Sequence, residues 1–468
     1  MAKKIFWSKF TFLAIFFLLM QQIIVASSTL WISNLGESVV EGKNITLYLT
    51  LFISSLFIVY IPGIISALNL ERAKSKSIRE YTHAFSETYQ CTPTRLTEKE
   101  FQHEKEPWLT TESAKVIEET YSVAYDSIAT GLNTILNIAA LCLAISTKVM
   151  LGYLLSFFVL ILMSSVYKNK LTEAAILLQN DRKGVSQVLL SGWDNILVGN
   201  QYNFSIWWKQ FTKKWGAYNE SATNAVLLTQ LSSTFTVGLS LIPVAATFIW
   251  LFVTTSNTAK MIALVATLPR QIQIIQHFQI LSAYTMHWHG VYARVKELLS
   301  SITAPTYEKT STLNRIKENE IDIMLENKPF NYTSFDQFIK TIAGMKSGRI
   351  TLQGANGSGK TTLINLIKAE FHDRAFYLPT NSRLAFEKTL DNTHSTGQKV
   401  KSHLDELKAM LLDSSNSDKT PRQILLLDEW DANLDAKNKE QISAMLDAFS
   451  KNYCIIEIRH KHPQEVTT

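Results

Sequence analysis

Long, mostly uncharged apolar runs dominate the first 290 positions of the chain, and short apolar runs separated by polar or amphipathic stretches make up the rest. The long runs are Phe10–Ile32, Ile45–Leu70, Ser127–Thr147, Val149–Tyr167, Ser221–Ala259 and Met261–Tyr284. A helix needs about 20 apolar residues to cross ~30 Å of hydrocarbon, so the pattern predicts six membrane-spanning helices. Ser221–Ala259 is longer than one span requires, and its first residues are expected to be helix outside the bilayer. The sixth run is the weakest, because it carries Arg270 and several glutamines. Lys3 and Lys4 before the first run, and Ala26-Ser27-Ser28 within it, imitate a secretory signal. An apolar core of about twenty residues exceeds a typical signal, which predicts an uncleaved anchor.

Charge sets the expected orientation. Two long connections, Glu71–Asp126 and Lys168–Glu220, hold Arg72, Lys74, Lys76, Arg79, Lys168, Lys170, Arg182 and Lys183. The other connections are short and poor in Lys and Arg. By the positive-inside rule both termini and both long loops face the cytoplasm. Few glycines or prolines interrupt these loops, so Glu112–Ile128 and Leu171–Leu190 are predicted to continue the spans as helix. The whole chain is 46% hydrophobic and only 18% charged, and its net charge of +6 reads as loop charge. No nucleic-acid partner is expected from so modest an excess. Cys91, Cys142 and Cys454 lie far apart, without disulfide or metal-ligand spacing.

After a polar linker at 300–319 the period changes. Ile321–Leu325, Arg349–Gln353, Ala375–Leu378, Gln423–Leu427 and Tyr453–Ile458 read as strands, with helices at Lys360–Glu370, Gly397–Leu412 and Lys437–Phe449. Strand–helix alternation predicts a mainly parallel sheet with covering helices. The expected fold class is therefore a six-helix transmembrane bundle over residues 1–299 followed by an α/β domain over 320–468, of P-loop NTPase type on the strength of Gly354-Ala355-Asn356-Gly357-Ser358-Gly359-Lys360-Thr361.

The chemistry concentrates in Arg-Ile-Thr-Leu-Gln-Gly-Ala-Asn-Gly-Ser-Gly-Lys-Thr-Thr, residues 349–362. A strand, then Gly354, Gly357 and Gly359, then Lys360 and Thr361 opening a helix, is the order a phosphate-binding loop requires. The glycines let backbone N–H groups converge on phosphate oxygens, and the helix presents its positive end to them. Gly354, Asn356, Gly357, Ser358, Gly359, Lys360, Thr361 and Thr362 are the expected nucleotide contacts. Lys360 would reach the β- and γ-phosphates and the Thr361 hydroxyl would hold Mg²⁺. The strand Ile424–Leu427 ends in Asp428-Glu429. Asp428 suits the same Mg²⁺, and Glu429 suits orienting or deprotonating the attacking water.

Together, Lys360–Thr361, Asp428–Glu429 and the residues after them resemble the ATPase of ABC transporters. Asp431-Ala432-Asn433-Leu434-Asp435 is similar to that family's D-loop, with Asp435 as its terminal aspartate. His460, after the last strand, matches the family's switch histidine. Ser395-Thr396-Gly397-Gln398 resembles the signature motif, with Thr396 in place of its first glycine; a helix N-cap is the other reading of that turn. The resemblance implies ATP and Mg²⁺ as cofactors, catalytic roles for Glu429 and His460, and a signature-like Ser395, Gly397 and Gln398 that close on ATP held by a second half-transporter, most simply in a homodimer. It also implies an exporter in a bacterial inner (plasma) membrane with its ATPase in the cytoplasm. The chain departs from the family in three ways. Only about 20 residues separate Lys360 from Thr380, which stands where a glutamine is expected; the helical subdomain between Thr380 and Ser395 is nearly absent; and Leu412–Arg422 reads as an insertion. Phe330 and Tyr332 are equal candidates for stacking on adenine.

Arg270, Gln273, His277, Tyr284 and His287 recur at three- and four-residue steps in the sixth span. Ionisable groups at membrane depth face a cavity or a partner helix. The stripe therefore reads either as a translocation path for a polar or peptide-like solute or as helix-packing polarity. Gly192–Ile196 and Asn200–Trp208, near the tip of the second loop, read as a contact with the ATPase or as an interfacial aromatic helix. Two functions follow: ATP-driven transport, with lipid, a solute and a second subunit as partners, or a membrane-anchored ATPase switch that moves nothing.

Overall fold

The computed structural model describes residues 2–42, 44–90, 92–96, 98–254, 258–303, 313, 315–326, 328–330, 334–380, 384–386, 401–407, 409, 424–432 and 434–459. The protein is mostly helical, with a small mixed sheet, and divides into two compact units. One comprises Met1–His83 with Thr110–Ser300, the other Ala84–Leu109 with Ser301–Thr468.

The first unit is built from α1 (Ala2–Phe6), α2 (Lys9–Glu41), α3 (Ile45–Ile58), most of α4 (Tyr60–Tyr89), α6 (Ser113–Ala144), α7 (Val149–Leu190), α8 (Gly192–Leu197), α9 (Gln201–Thr254), α10 (Thr258–Ala266) and α11 (Leu268–Ser301). Among the described residues five helical stretches are long and apolar enough to cross a membrane: Lys9–Glu41, Ile45–Tyr89, Lys99–Ala144, Val149–Leu190 and Gln201–Thr254. They mark the chain as a membrane protein. Large apolar side chains that point outward, such as Leu143 at 80% and Phe158 at 65% exposed, fit lipid as their solvent. The expected sixth span differs: it is divided at Thr267 into α10 and α11, and neither half is among the five. Pro269 explains the break, since it has no N–H to continue a helix and fits the first turn of a new one.

Small polar residues let these helices approach closely. Ser156 Oγ donates to the Ser240 carbonyl at 2.5 Å between α7 and α9, and Thr29 Oγ1 donates to Asn137 Oδ1 at 2.7 Å between α2 and α6. A Cβ on Gly152 would lie 2.6 Å from Thr247 Oγ1, so only glycine fits there. Such seams replace the hydrophobic drive that lipid removes. Tyr153, Phe248 and Phe278 stack edge to face within the apolar centre. At 42 and 54 residues, α7 and α9 extend far beyond one bilayer crossing. Their polar ends meet at α8, where Trp207 packs on Gly192 and donates to the Val188 carbonyl at 2.9 Å.

The second unit holds a six-stranded sheet in the order β2-β1-β3-β6-β5-β4. The strands are β1 (Ile321–Leu325), β2 (Lys328–Pro329), β3 (Gly348–Gly354), β4 (Ala375–Leu378), β5 (Ile424–Leu427) and β6 (Cys454–Ile458). β3, β6, β5 and β4 run parallel, while β1 is antiparallel to both β2 and β3. Its helices include α12 (Phe335–Gly344), α13 (Lys360–Phe371) and α14 (Ala436–Ser450). Strand residues alternate between two apolar clusters, as a sheet covered on both faces requires. Ile350, Leu352, Leu426, Ile456 and Ile458 meet Leu363 and Ile367 of α13. Leu425, Leu427 and Ile455 meet Ile442, Leu446 and Phe449 of α14.

Two elements escaped the sequence reading, β2 and α12. The second carries clear signals: the Ser334 hydroxyl accepts the Gln337 N–H as an N-cap, and Phe335, Phe338 and Ile342 fall on one face. The unit also takes in part of the first long loop. α5 (Lys99–Pro107) and the turn Pro93–Arg95 belong to it; that turn packs on α13, and Glu98 bridges Arg95 and Arg315 at 2.5 and 3.0 Å. Tyr89 Oη donates to the Ser301 carbonyl at 2.6 Å.

Candidate functional site

The glycine loop joins the C-terminal end of β3 to the N-terminus of α13, with Gly359 as N-cap. Its geometry demands glycine at two positions. A Cβ on Gly354 would fall 2.4 Å from the Glu320 carbonyl oxygen, and one on Gly359 would fall 3.0 Å from that of Arg315, at a φ of +96°. Gly354→Ala is accordingly expected to destabilise the second unit by about 1–3 kcal/mol, the usual cost of overpacking, read as a lower melting temperature.

Lys360 is buried, and its ammonium donates to the Gly354 and Ala355 carbonyls at 2.9 Å each. Thr361, one residue on, faces the end of β5. Its hydroxyl donates to Asp428 Oδ1 at 3.4 Å, bringing together residues 67 positions apart. Tyr377 on β4 donates its phenol to Asp428 Oδ2 at 3.3 Å. Burial, then the neighbouring Glu429, pushes the Asp428 carboxyl above its usual range, and the bonds from Thr361 and Tyr377 pull it back in part. Burial, followed by the Asp428 charge, also raises the Tyr377 phenol. Thr380 donates to the Asp428 backbone carbonyl at 2.5 Å, so it buttresses the end of β5.

Glu429 has a φ of +45°, in the left-handed region. For a residue with a Cβ this costs about 1–2 kcal/mol, and such strain collects at functional sites held by their surroundings. Asp435 caps α14, accepting from the Asn438 N–H at 2.7 Å. Ser358 Oγ is buried in the loop without a hydrogen-bond partner among the described residues.

Lys360, Thr361, Asp428 and Glu429 thus gather at the C-terminal ends of β3 and β5. Ser395, Gly397, Gln398, Tyr332 and His460 lie outside the described residues. Phe330 packs against the Phe338 ring at 6.3 Å. A divalent cation fits the donor set on chemical grounds. Among the described residues no group of three His, Cys, Asp or Glu side chains could cage one. Mg²⁺ does not need such a cage, since it binds through one or two protein oxygens together with substrate phosphates, and Thr361 with Asp428 would supply those. When bound, Mg²⁺ neutralises phosphate charge.

In the first unit a cavity of about 630 Å³ opens among α6, α7, α9 and α11. Phe157, Leu160 and Ile161 form apolar wall; Gln279, Ser282 and Tyr284 bring polar groups to it. Of the five stripe residues only Tyr284 lines this cavity. Arg270 donates to Gln273 Oε1 at 2.7 Å and to Ser28 Oγ at 3.1 Å, a contact between helices. His277 is half-buried, with Nδ1 unpartnered among the described residues, and His287 is exposed.

No protein-family model matches the chain, and no curated protein matches it.

Sequence reading missed Tyr377, Trp430 and Glu457 around this site. The signal for Glu457 was present: a lone carboxylate inside Cys-Ile-Ile-Glu-Ile, a strand apolar on both sides, has to find partners when buried.

Proposed function

We propose that the protein is an ATP-driven transporter, an exporter-type half-transporter similar to the ABC family, working as a homodimer in a bacterial inner (plasma) membrane. The observation that carries this reading is the meeting of Thr361 with Asp428 beside the buried Lys360, at the mouth of a glycine loop that opens a helix. That is a site for a nucleoside triphosphate with its Mg²⁺. Lys360 binds the β- and γ-phosphates, the N–H groups of α13 orient them, and Glu429 takes the proton of the attacking water. His460 contacts the γ-phosphate, and the loop at 395–398 of a second subunit closes the site. The apolar stretches supply the membrane half, with both long loops and the ATPase in the cytoplasm. The bundle cavity, with its mix of apolar wall and hydroxyl, amide and phenol groups, is the candidate solute pocket, and its size lies in the range of small-molecule sites.

A second reading has its own support. Only the turn His372–Arg374 separates α13 from β4, which leaves no room for the β-hairpin subdomain that the family normally holds in this interval. So reduced a domain suits a membrane-anchored switch. Reconstitution in vesicles separates the two. ATP-dependent movement of a solute by the wild type, lost in Glu429→Gln, supports transport. ATP hydrolysis that no solute stimulates, with nothing moved, supports the switch.

Tyr377→Phe removes a bond that favours the charged form of Asp428, so the Asp428 pKa rises further. The acid limb of Mg²⁺-dependent ATP turnover is expected to move to higher pH by up to about one unit, measured as phosphate release against pH.

A further inference from the structure

Glu457 lies on β6, the strand flanked by β3 and β5, and is 0% exposed. It pairs across the sheet with Thr351 on one side and Leu427 on the other. Its carboxylate accepts from Arg349 Nε at 2.9 Å, Arg349 Nη2 at 2.8 Å, Thr351 Oγ1 at 3.0 Å and Trp430 Nε1 at 2.9 Å. Arg459 Nε lies 2.9 Å from Oε1 as an ion pair, without an N–H aimed squarely at the oxygen. The Arg459 guanidinium also stacks on the Trp430 ring at 5.2 Å. Burial opposes the charge on Glu457, but the bonds and charge of Arg349, with Arg459 and Trp430, outweigh it and hold the carboxyl below its usual range.

The positions of these partners carry the inference. Thr351 is three residues before Gly354, where the phosphate loop begins. Trp430 follows Glu429 directly, and Arg459 directly precedes His460. One buried carboxylate therefore gathers a side chain from each of the three chain segments that present the site. The sheet would be held more cheaply by an apolar residue here, as at Ile455 and Ile456, because a buried ion network pays a desolvation penalty. Trp430 is buried in the apolar cluster on the α14 face, and its indole N–H needs an acceptor that this cluster lacks. Glu429, next to it, holds a left-handed backbone that its surroundings must maintain.

We propose that Glu457 is a positioning residue of the ATP site: by accepting the Trp430 N–H it fixes the turn that aims Glu429, and through Arg349 and Arg459 it ties that turn to the phosphate-loop strand and to the approach to His460. This rests on the ATPase reading above. Trp430→Phe in the full-length protein tests it, because the N–H is lost while a smaller aromatic ring still fills part of the place, and Glu457 keeps both arginines. Phosphate release from Mg-ATP is expected to show kcat about tenfold lower, the scale of loss from a misaimed catalytic group, with KM within twofold; the smaller ring also lowers the melting temperature by a few degrees. Thr351→Val, which removes a second donor to the same carboxylate, is expected to give a smaller kcat loss of the same kind. Wild-type kcat in Trp430→Phe overturns the assignment, as does a loss that appears only as a lower melting temperature. If the wild type hydrolyses no ATP, the ATPase reading falls and this assignment goes with it; if the wild type hydrolyses ATP and both variants match it, this assignment alone falls.

Discussion

Lys360→Ala is expected to abolish ATP turnover, lowering kcat/KM by at least about a thousandfold, or ~4 kcal/mol of transition-state stabilisation. Lys360 is the only charged side chain that the loop 354–362 carries, and its ammonium already sits against the carbonyls of Gly354 and Ala355. Phosphate oxygens would be stronger acceptors at the same place. The variant keeps the backbone N–H cradle, so some phosphate affinity survives while the charge that developing negative oxygens need is gone. The change also removes two hydrogen bonds within the loop. Thermal unfolding is therefore measured alongside phosphate release and binding of a fluorescent ATP analogue. Turnover like that of the wild type in a folded variant would sink the assignment of the site.

Glu429→Gln should separate binding from chemistry. The amide has nearly the shape of the carboxylate and can occupy the same left-handed turn after β5. It cannot accept a proton, and loss of a general base costs about 10²–10⁴-fold in rate. Turnover is expected to fall by that factor while nucleotide affinity stays within a few-fold of wild type, because Lys360, Thr361 and Asp428 are untouched. Equilibrium binding and single-turnover hydrolysis on one preparation distinguish this from a folding defect, which lowers both together. An unchanged hydrolysis rate would mean that Glu429 is not the base, leaving Asp431 or a phosphate oxygen to take the proton.

The membrane half shows where sequence pattern suffices and where it stops. Apolar length is a one-dimensional property, and the first five expected spans overlap the five long helical stretches, although the second is interrupted at Val59 and the third and fifth run past the helix ends at Ala144 and Thr254. The sixth is divided at Thr267, just ahead of Pro269, and the polar residues after it, Arg270 and Gln279, reach Ser28 and Ser233 on other helices. Spacing put Arg270 and Tyr284 on one face, but spacing carries no information on which neighbour that face meets. Arg270 turns to Ser28 and Gln273, whereas Tyr284 reaches the cavity wall.

In the second unit the strands β1, β3, β4 and β6, together with α13 and α14, lie within a residue or two of the sequence expectation. Alternating apolar residues and the glycine loop report on local backbone, and local backbone is what a single sequence encodes most directly. The mixed character of the sheet was not legible, because nothing in β1 states whether its neighbour runs parallel or antiparallel. The place of Ala84–Leu109 beside the helix after the glycine loop was equally hidden, since that contact joins segments far apart in the chain.

The sequence by itself determined five of the six expected long apolar stretches, the strand–glycine loop–helix, and the two carboxylates that end β5. Each rests on short-range periodicity or on residue types whose chemistry has few alternatives. Tertiary structure alone decided that Thr361 faces Asp428, that Tyr377 donates to the same carboxylate, and that Glu457 holds Trp430 beside a strained Glu429. Those contacts join residues carried by different strands and by the turns and helix that follow them, and only the folded order β3-β6-β5-β4 brings their side chains within hydrogen-bonding distance.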